Sequence, residues 1–214
     1  MVGYLTGGLM AFTLFITTHI FPLPIAVIST VLMRLLITGA LNEDGLADFC
    51  DSFGGGTTRE RILEIMKDSH IGTYGVIGLI LYYTLLIYTL TSISYPLVCT
   101  VLFCGDIWAK YCSSHIINFL PYARKEEESK AKVVYDRMSP QIIIINTAIS
   151  LFPSIFLLQA RYSIALVVSA FVSYLILILI KKRLQGYTGD CCGALFLITE
   201  LSFYITILAT HNTL

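Results

Sequence analysis

Three aspartates that lie close together in the sequence are the residues best suited to chemistry. Asp44, Asp48 and Asp51 are spaced i, i+4 and i+7, so in a helix all three carboxylates project from one face within about two turns. Adjacent anions repel one another, and hard carboxylate oxygens favour Mg²⁺, Mn²⁺ or Ca²⁺ over softer metals. The spacing predicts a metal site. The alternative is a solvated helix start, where carboxylates complement the helix dipole.

Small residues surround these aspartates. Gly45 and Ala47 leave the backbone beside the carboxylates uncluttered, and three glycines follow at 54–56. Glycine permits turns that are closed to other residues. A bulky phosphorylated ligand is therefore able to approach the backbone closely in this stretch.

The segment 58–68 predicts a short amphipathic helix. Its apolar side carries Ile62, Ile65 and Met66, and one of the two adjacent threonines at its start is expected to cap it. Asp68 and His70 close the segment just before the next apolar run. We therefore expect both side chains near a membrane surface, beside the aspartates.

Composition places the whole chain in a membrane. Hydrophobic residues make up 56% and charged residues 13% of the 214 residues, and the mean hydropathy is +0.78; soluble domains are less apolar. A formal net charge of +0 argues against nucleic-acid binding, which needs a basic face. The first apolar run lacks a basic n-region and a cleavage site, so it predicts a retained helix and not a signal peptide.

Windows of about 20 apolar residues predict an all-α, polytopic transmembrane bundle of about seven spans, with the short amphipathic helix on the cytoplasmic side. We interpret residues 1–214 as one integral-membrane domain. The predicted spans are 3–20, 23–41, 71–91, 95–118, 140–158, 163–180 and 190–210.

Basic residues predict the orientation of the bundle. The loops 42–70, 119–139 and 181–189 are rich in Lys and Arg, whereas the connections on the opposite side hold only Arg161. Loops rich in Lys and Arg are retained in the cytoplasm. Seven spans put the three basic loops on one side, so the aspartates are expected to face the cytosol.

Three ionisable residues fall inside the predicted spans, where charge is costly and needs a partner or a wet cavity. Arg34 and Asp106 are of opposite charge, so they could pair with each other, or either could be structural, and the sequence leaves this open. Glu200 is interpreted either as a buried, hydrogen-bonded carboxyl or as part of the site.

The run 43–75, EDGLADFCDSFGGGTTRERILEIMKDSHIGTYG, resembles the signature of the cobalamin synthase family, membrane enzymes also called adenosylcobinamide-GDP ribazoletransferases. PYAR at 121–124 and GYTGDCCGA at 186–194 support the resemblance in the family's order and spacing, so it covers nearly the whole chain. The family usually has about 30 or more residues before the segment that resembles VGYLTGG at 2–8. We therefore expect the natural chain to begin further upstream.

The resemblance implies a reaction. Adenosylcobinamide-GDP would react with α-ribazole or its 5′-phosphate, giving adenosylcobalamin or its 5′-phosphate and GMP. Mg²⁺ held by Asp44, Asp48 and Asp51 would neutralise charge on the diphosphate. Candidate proton acceptors are Asp51, Asp68 and His70, with Asp68 preferred. A bacterial cytoplasmic (inner) membrane is the implied location, and a homo-oligomer stays open because nothing in the sequence sets the oligomeric state.

Phosphate contacts are assigned to residues of the three motifs. An arginine at the membrane edge suits bidentate phosphate recognition, and a turn of small residues is able to close over a phosphate. The candidates are Gly54, Gly55, Lys67, Tyr122, Arg124, Thr188, Gly189 and Asp190.

Two other functions fit parts of the sequence. A CDP-alcohol phosphotransferase of phospholipid synthesis uses similar chemistry, but its spaced-aspartate motif is longer than the one in this chain. An ion-coupled transporter would carry its carboxylates near the membrane midplane and show inverted repeats or broken helices. Here the acidic cluster lies in a predicted cytoplasmic loop, which disfavours transport.

Overall fold

The computed structural model describes residues 2–123 and 136–212, and within these ranges all regular structure is helical except one isolated backbone bridge. This confirms the predicted all-α class. The α-helices are α1 Val2–Thr17, α2 Leu23–Thr38, α3 Leu41–Gly55, α4 Arg59–Ile65, α5 Thr73–Ser92, α6 Leu97–Ser114, α7 Ile116–Phe119, α8 Pro140–Leu157, α9 Ile164–Leu184 and α10 Gly189–Asn212. A short 3-10 helix, Ala160–Ser163, leads into α9.

Each of the seven predicted apolar segments contains one of the longer helices, but not all of them are equally suited to a membrane. In the described part of the chain, four helical stretches are long and apolar enough to cross a bilayer: α5, α8, the 3-10 helix with α9, and α10. The count becomes five if α2 and α3 form one bent span. These apolar helices indicate a membrane protein, while the number of seven spans stays a prediction.

The aspartate-bearing helix leaves α2 through a sharp turn. Gly39 and Ala40 have φ of 62° and 57°, in the left-handed region that ends helices. The axes of α2 and α3 consequently differ by 91°. The turn redirects the polar helix α3 away from the direction of the apolar helix α2.

Helix α10 forms the centre of the bundle. It packs against α3, α6 and α9 and also contacts α5, while α1 packs against α6 and α2. In contrast, α8 packs mainly on α6 and leaves side chains such as Ile144, Ile145 and Phe156 exposed. Outward apolar side chains on the peripheral helices suit a lipid environment, since lipid solvates them as well as a protein core does.

The amphipathic helix predicted after the glycine run is α4. The Thr58 hydroxyl accepts a hydrogen bond from the Arg61 amide at 3.3 Å and caps the helix. Ile62 and the following Met66 are almost completely buried, whereas Glu60 and Arg61 are exposed. The predicted apolar side therefore packs onto the bundle.

Candidate active site

Two sequence motifs meet where α3 crosses the start of α10. A β-carbon at Gly45 would lie 3.0 Å from both the Cα and the carbonyl oxygen of Asp190. A β-carbon at Gly193 would lie 2.9 Å from the carbonyl oxygen of Asn42. A β-carbon at Gly193 would clash and one at Gly45 would be tighter than an ordinary contact, so the two glycines allow the helix backbones to come this close. The aspartate-bearing helix is thereby held against the first turn of α10.

The third motif joins the other two through its backbone. The Tyr187 amide donates to the Pro121 carbonyl at 2.9 Å, and the Ala123 amide donates to the Tyr187 carbonyl at 2.8 Å. These bonds form a parallel bridge between Tyr122 and Tyr187, whose rings meet edge to face at 5.4 Å. Tyr122 therefore lies beside the start of α10, whereas Arg124 falls outside the described residues.

Arg59 connects α4 to the ends of two other segments. Its Nε donates to the Leu184 carbonyl at 2.9 Å, and its Nη2 donates to the Ala123 carbonyl at 3.0 Å. Leu184 is the last residue of α9, where helix carbonyls lack partners within the helix. Arg59 satisfies such a carbonyl and holds α4 beside the third motif.

Arg183 performs the same task from α9. Its Nη1 donates to the Phe53 carbonyl at 2.6 Å, its Nη2 donates to the Gly56 carbonyl, and its guanidinium lies 5.3 Å from the centre of the Phe53 ring. The glycine run after α3 is thereby tied to α9. Sequence reasoning used Arg183 and Arg59 only to orient the bundle. The signal it missed is an arginine near a helix end, within reach of unpaired carbonyls.

Asp51 caps α5. Its two carboxylate oxygens accept hydrogen bonds from the amides of Gly72 at 2.7 Å and Gly75 at 2.8 Å, and the residue is buried. A carboxylate at this position satisfies amides that have no partner within the helix and complements the helix dipole. The predicted catalytic and metal-binding roles of Asp51 stay predictions, but the structure gives this side chain a structural role as well.

The other two aspartates of α3 lie one turn apart, with Asp44 exposed and Asp48 half-buried. Across residues 2–123 and 136–212, no three His, Cys, Asp or Glu side chains converge closely enough to hold a metal ion. Mg²⁺ commonly binds through one or two carboxylates, together with water and the phosphates of a substrate. Two carboxylates on successive turns of α3 fit that chemistry, and the Mg²⁺ site stays a prediction.

Asp68 and His70 form a pair on the surface after α4. The carboxylate Oδ1 of Asp68 lies 2.6 Å from His70 Nδ1 and also accepts the His70 amide at 3.0 Å. Hydrogen bonding from His70 lowers the pKa of Asp68 below its ordinary value. Because an ionised carboxylate only accepts hydrogen bonds, Nδ1 of His70 carries the proton and Nε2 is available as an acceptor. Lys67, a predicted phosphate ligand, precedes this pair and is exposed.

The remaining predicted phosphate ligands differ in their exposure. Gly54, Gly55 and Gly189 are exposed, and a β-carbon at Gly189 would meet nothing within 4 Å. Thr188 is completely buried, and its hydroxyl accepts the Cys191 amide at 3.3 Å. Thr188 therefore caps α10 in this structure, and Gly189 presents open backbone to a ligand. Gly54 instead packs against the Tyr74 ring, where a β-carbon would lie 2.6 Å from the ring.

A buried ionic network lies beneath these motifs. Arg34 Nη1 contacts Glu200 Oε2 at 2.7 Å, and Arg34 Nη2 lies 2.9 Å from the Tyr82 hydroxyl and 3.1 Å from Glu43 Oε1. The contact with Glu43 is an ion pair without hydrogen-bond alignment, so both Glu43 oxygens lack a hydrogen-bond partner among the described residues. The network joins α2, α3, α5 and α10, and Glu200 is a buried, paired carboxyl.

Arg34 and Asp106, whose pairing the sequence left open, do not contact each other. Asp106 contacts Lys110 instead, with both of its oxygens 2.6 Å from Nζ, and it accepts the Thr6 hydroxyl at 2.5 Å. Lys110 lies one helical turn after Asp106 on the same helix, and such i, i+4 neighbours pair readily. A nearby cation therefore neutralises Asp106, which leaves Arg34 to the two glutamates.

The fold and these contacts define a helical protein with apolar helices suited to a membrane, in which α3, residues 121–123 and residues 186–194 meet around the crossing of α3 and α10. Comparison with known proteins places this arrangement in a family. The model of the family "Cobalamin-5-phosphate synthase" matches residues 1–208. The chain belongs to the cobalamin-5-phosphate synthase family, and it is a transferase.

Individual relatives agree with this assignment. Proteins named adenosylcobinamide-GDP ribazoletransferase from Leptospira interrogans and Vibrio parahaemolyticus are 34% and 33% identical, each alignment covering 100% of this chain and 84% and 81% of the relative. The relative of the same name from Shewanella amazonensis is 34% identical over 97% of this chain and 82% of its own length. No solved structure matches the chain.

Proposed function

We propose that this transferase joins adenosylcobinamide-GDP to α-ribazole or its 5′-phosphate, with release of GMP. The names of the relatives support this substrate pair. The observation that carries the proposal is the crossing of α3 and α10 at Gly45 and Asp190, around which the three motifs of the family resemblance meet. The product is adenosylcobalamin or its 5′-phosphate.

The reaction is a phosphoryl transfer in which one bond replaces another. The ribose hydroxyl oxygen attacks the phosphorus next to cobinamide and forms a new P–O bond. The bond between that phosphorus and the bridging oxygen of the diphosphate breaks, and GMP leaves with the bridging oxygen. The hydroxyl proton must pass to a base, and the negative charge that develops on GMP must be stabilised.

His70 is the proposed proton acceptor, with Asp68 as the residue that orients it. Their 2.6 Å contact fixes the proton on Nδ1 and points the basic Nε2 away from Asp68. The Asp68 carboxylate is already engaged by the ring and the amide of His70, and this hydrogen bonding lowers the pKa of Asp68. This assignment differs from the sequence-based preference for Asp68, and it arises from the hydrogen bond between the two side chains.

Asp44 and Asp48 are the proposed ligands of Mg²⁺. When bound, Mg²⁺ would supply positive charge that neutralises the diphosphate oxygens. Asp51 is placed to support the same surface, since its carboxylate fixes the start of α5 against α3.

Phosphate oxygens are proposed to bind the open backbone around the crossing. The start of α10 presents amides that favour anions, and the exposed glycines at 55 and 189 let a bulky diphosphate approach, next to Gly54 and the Tyr74 ring that packs on it. Lys67 and Arg124 would add charge, and Tyr122 and Asp190 border the same area. The active surface is proposed to face the cytoplasm at a bacterial inner membrane.

The decisive experiment supplies the purified chain in lipid nanodiscs with Mg²⁺, adenosylcobinamide-GDP and α-ribazole, and follows products by mass spectrometry. We expect cobalamin and GMP in equal amounts, and no turnover after chelation of Mg²⁺. A parallel reaction with a CDP-activated alcohol tests the phospholipid alternative, and release of CMP there, without GMP release, would contradict the proposal.

The metal ligands are tested in the same assay. Asp44→Asn and Asp48→Asn should each abolish turnover at limiting Mg²⁺, because neutralising a ligand removes affinity while keeping side-chain size. Glu60→Gln is the matched control, since Glu60 is an exposed acid on α4. Normal turnover of both asparagine variants would reject the metal site without rejecting the reaction.

A further inference from the structure

A cavity of about 380 Å³ opens beside the α3–α10 crossing. It lies between the beginning of α1, the second half of α6, the first half of α8 and the first turns of α10. Its volume falls within the range of about 300–1,000 Å³ that is typical of sites for small molecules. None of the catalytic and phosphate-binding roles proposed above uses this space.

One wall of the cavity belongs to the candidate active site. Asn42 and Cys192 line it. Asn42 lies two residues before Asp44, and Cys192 lies two residues after Asp190. Asn42 is also the residue whose backbone touches Gly193 at the helix crossing. A molecule seated in the cavity would therefore have one end within about a helical turn of the proposed Mg²⁺ ligands.

The charge in the cavity is already neutralised. Lys110 is the one cationic side chain among the lining residues, and its Nζ bonds both oxygens of Asp106 at 2.6 Å and the Thr6 hydroxyl at 2.5 Å. The same ammonium lies 4.7 Å from the centre of the Phe196 ring. No cation of this lining is left for a phosphate, so the cavity does not suit the diphosphate end of a substrate.

The rest of the lining combines flat apolar surfaces with neutral hydrogen-bonding groups. Tyr4, Tyr111 and Phe196 supply aromatic rings, and Ser114 and Asn146 supply neutral polar groups. Among the described residues, the Asn146 amide nitrogen makes one long contact, to the Met138 sulfur at 3.8 Å. The amide therefore retains hydrogen-bonding capacity for a ligand. The Ser114 hydroxyl already donates to the Tyr111 carbonyl at 2.7 Å, so the Asn146 amide is the group that a lipid chain would leave unpaired. This lining therefore matches an aromatic, uncharged molecule with hydrogen-bonding groups better than a lipid chain.

We infer that this cavity binds the aromatic base and ribose of the acceptor, an α-ribazole-type nucleoside. The inference rests on the proposed function and adds the location of the second substrate. The acceptor enters beside α8 and places its ribose hydroxyl toward the crossing, while the diphosphate lies over the exposed glycines. The two substrates then meet at the aspartates from different sides.

The test compares two phenylalanine substitutions on α8. Asn146→Phe fills the cavity, whereas the control Ile145→Phe changes a side chain that is 57% exposed on the same helix. We expect Asn146→Phe to raise the KM for α-ribazole strongly while the KM for adenosylcobinamide-GDP stays unchanged. Asn146→Leu, which keeps the size but removes the amide, should raise the acceptor KM by up to about tenfold. Ile145→Phe should match the original chain in both constants.

Equilibrium dialysis with α-ribazole alone separates this inference from the proposed reaction. Binding by the original chain that is lost in Asn146→Phe and kept in Ile145→Phe would support the cavity even without turnover. Turnover with an unchanged acceptor KM in Asn146→Phe would overturn the cavity assignment and leave the reaction standing. Binding of α-ribazole that is equally strong in all variants, or a cavity that copurifying phospholipid occupies without competition from α-ribazole, would also overturn it.

Discussion

Gly45 lies against Asp190 so closely that a β-carbon on the glycine would be 3.0 Å from the Cα of the aspartate. This contact determines how near the aspartates of α3 come to the first turn of α10. A substitution there changes the relative position of two site elements without removing any functional group. The crossing can therefore be tested separately from the chemistry.

Gly45→Ala should lower kcat while leaving the protein folded. The added methyl group would be tighter than an ordinary contact, and because its nearest neighbours are backbone atoms, which have little freedom to move, α3 and α10 must separate by a few tenths of an ångström. A displacement of about 1 Å between catalytic groups and substrate is able to cost about a hundredfold in rate, so we expect a smaller loss of kcat than that. The measurement is kcat with both substrates saturating, alongside the melting temperature in detergent.

Gly8→Ala is the matched control for this experiment. Gly8 lies in α1, where a β-carbon would meet Phe103 at 3.9 Å, an ordinary contact. Equal activity of Gly45→Ala and Gly8→Ala would show that the close crossing is not required for turnover.

Asp51→Asn should destabilise the protein as well as reduce its activity. The Asp51 carboxylate accepts hydrogen bonds from two backbone amides at the start of α5. The asparagine side chain has only one oxygen that accepts hydrogen bonds, and it carries no charge. Hydrogen bonds to charged groups contribute about 1.5–3 kcal/mol, so we expect a loss of about 1–3 kcal/mol in the free energy of unfolding. Thermal unfolding in detergent measures the effect.

Asp44→Asn provides the comparison, since Asp44 is exposed and lies on the same helix. It should lose turnover at limiting Mg²⁺ and keep the original melting temperature. If Asp51→Asn also keeps that temperature, the cap is not important for stability and Asp51 acts with the other aspartates alone.

The Asp68–His70 pair predicts a non-additive effect on turnover. His70→Ala should reduce kcat by about 10²–10⁴-fold, the usual contribution of a general base. Asp68→Asn should reduce kcat less, because it removes only the group that orients the base. Adding Asp68→Asn to His70→Ala should cost nothing further, which the four kcat values of the double-mutant cycle measure.

The pH dependence of this pair has a definite sign. Hydrogen bonding from His70 lowers the pKa of Asp68 in the folded protein, so the stabilising contact is present above the ordinary pKa of an aspartate. It is lost only as the pH falls through the lowered value. Titration of the Asp68 carboxyl followed by NMR should therefore have its midpoint below the ordinary pKa of an aspartate, and the midpoint should rise in His70→Ala. A midpoint that does not change in His70→Ala, or independent effects in the double-mutant cycle, would reject the assignment.

Local sequence patterns predicted much of the fold. Apolar windows located the longer helices, and the 58–68 pattern predicted a capped amphipathic helix, because burial of a helix face leaves a period in the sequence. The left-handed turn at Gly39 and Ala40, which bends α2 from α3, was not predicted. An alanine at position 40 does not indicate a left-handed turn, since left-handed backbone is uncommon for alanine.

The missed contacts of the site share a physical cause. Arg59, Arg183 and Asp51 bind backbone carbonyls and amides that are far away in sequence or belong to another helix. Every residue carries these backbone groups, so no side-chain pattern marks the partner. The sequence could not decide the partner of Arg34 for a related reason, since opposite charge alone does not distinguish between several available carboxylates. Which carboxylates Arg34 contacts depends on the packing of α2 against α3 and α10.

The orientation of the bundle predicts which positions react from outside the cell. In a variant without cysteines, single cysteines at Ser94 and Gln159 should react with an impermeant thiol reagent. Ser94 lies between α5 and α6, and Gln159 lies between α8 and α9, both on the side of the bundle with few basic residues. Cysteines at Thr57 and Lys182 should react only after the cells are permeabilised. All four positions are exposed, so differences in labelling report the membrane side and not burial.

Retained turnover in each variant is the control for folding. Labelling of Thr57 and Lys182 variants in intact cells, with protection of the other two, would reverse the topology and place the aspartates outside the cytoplasm.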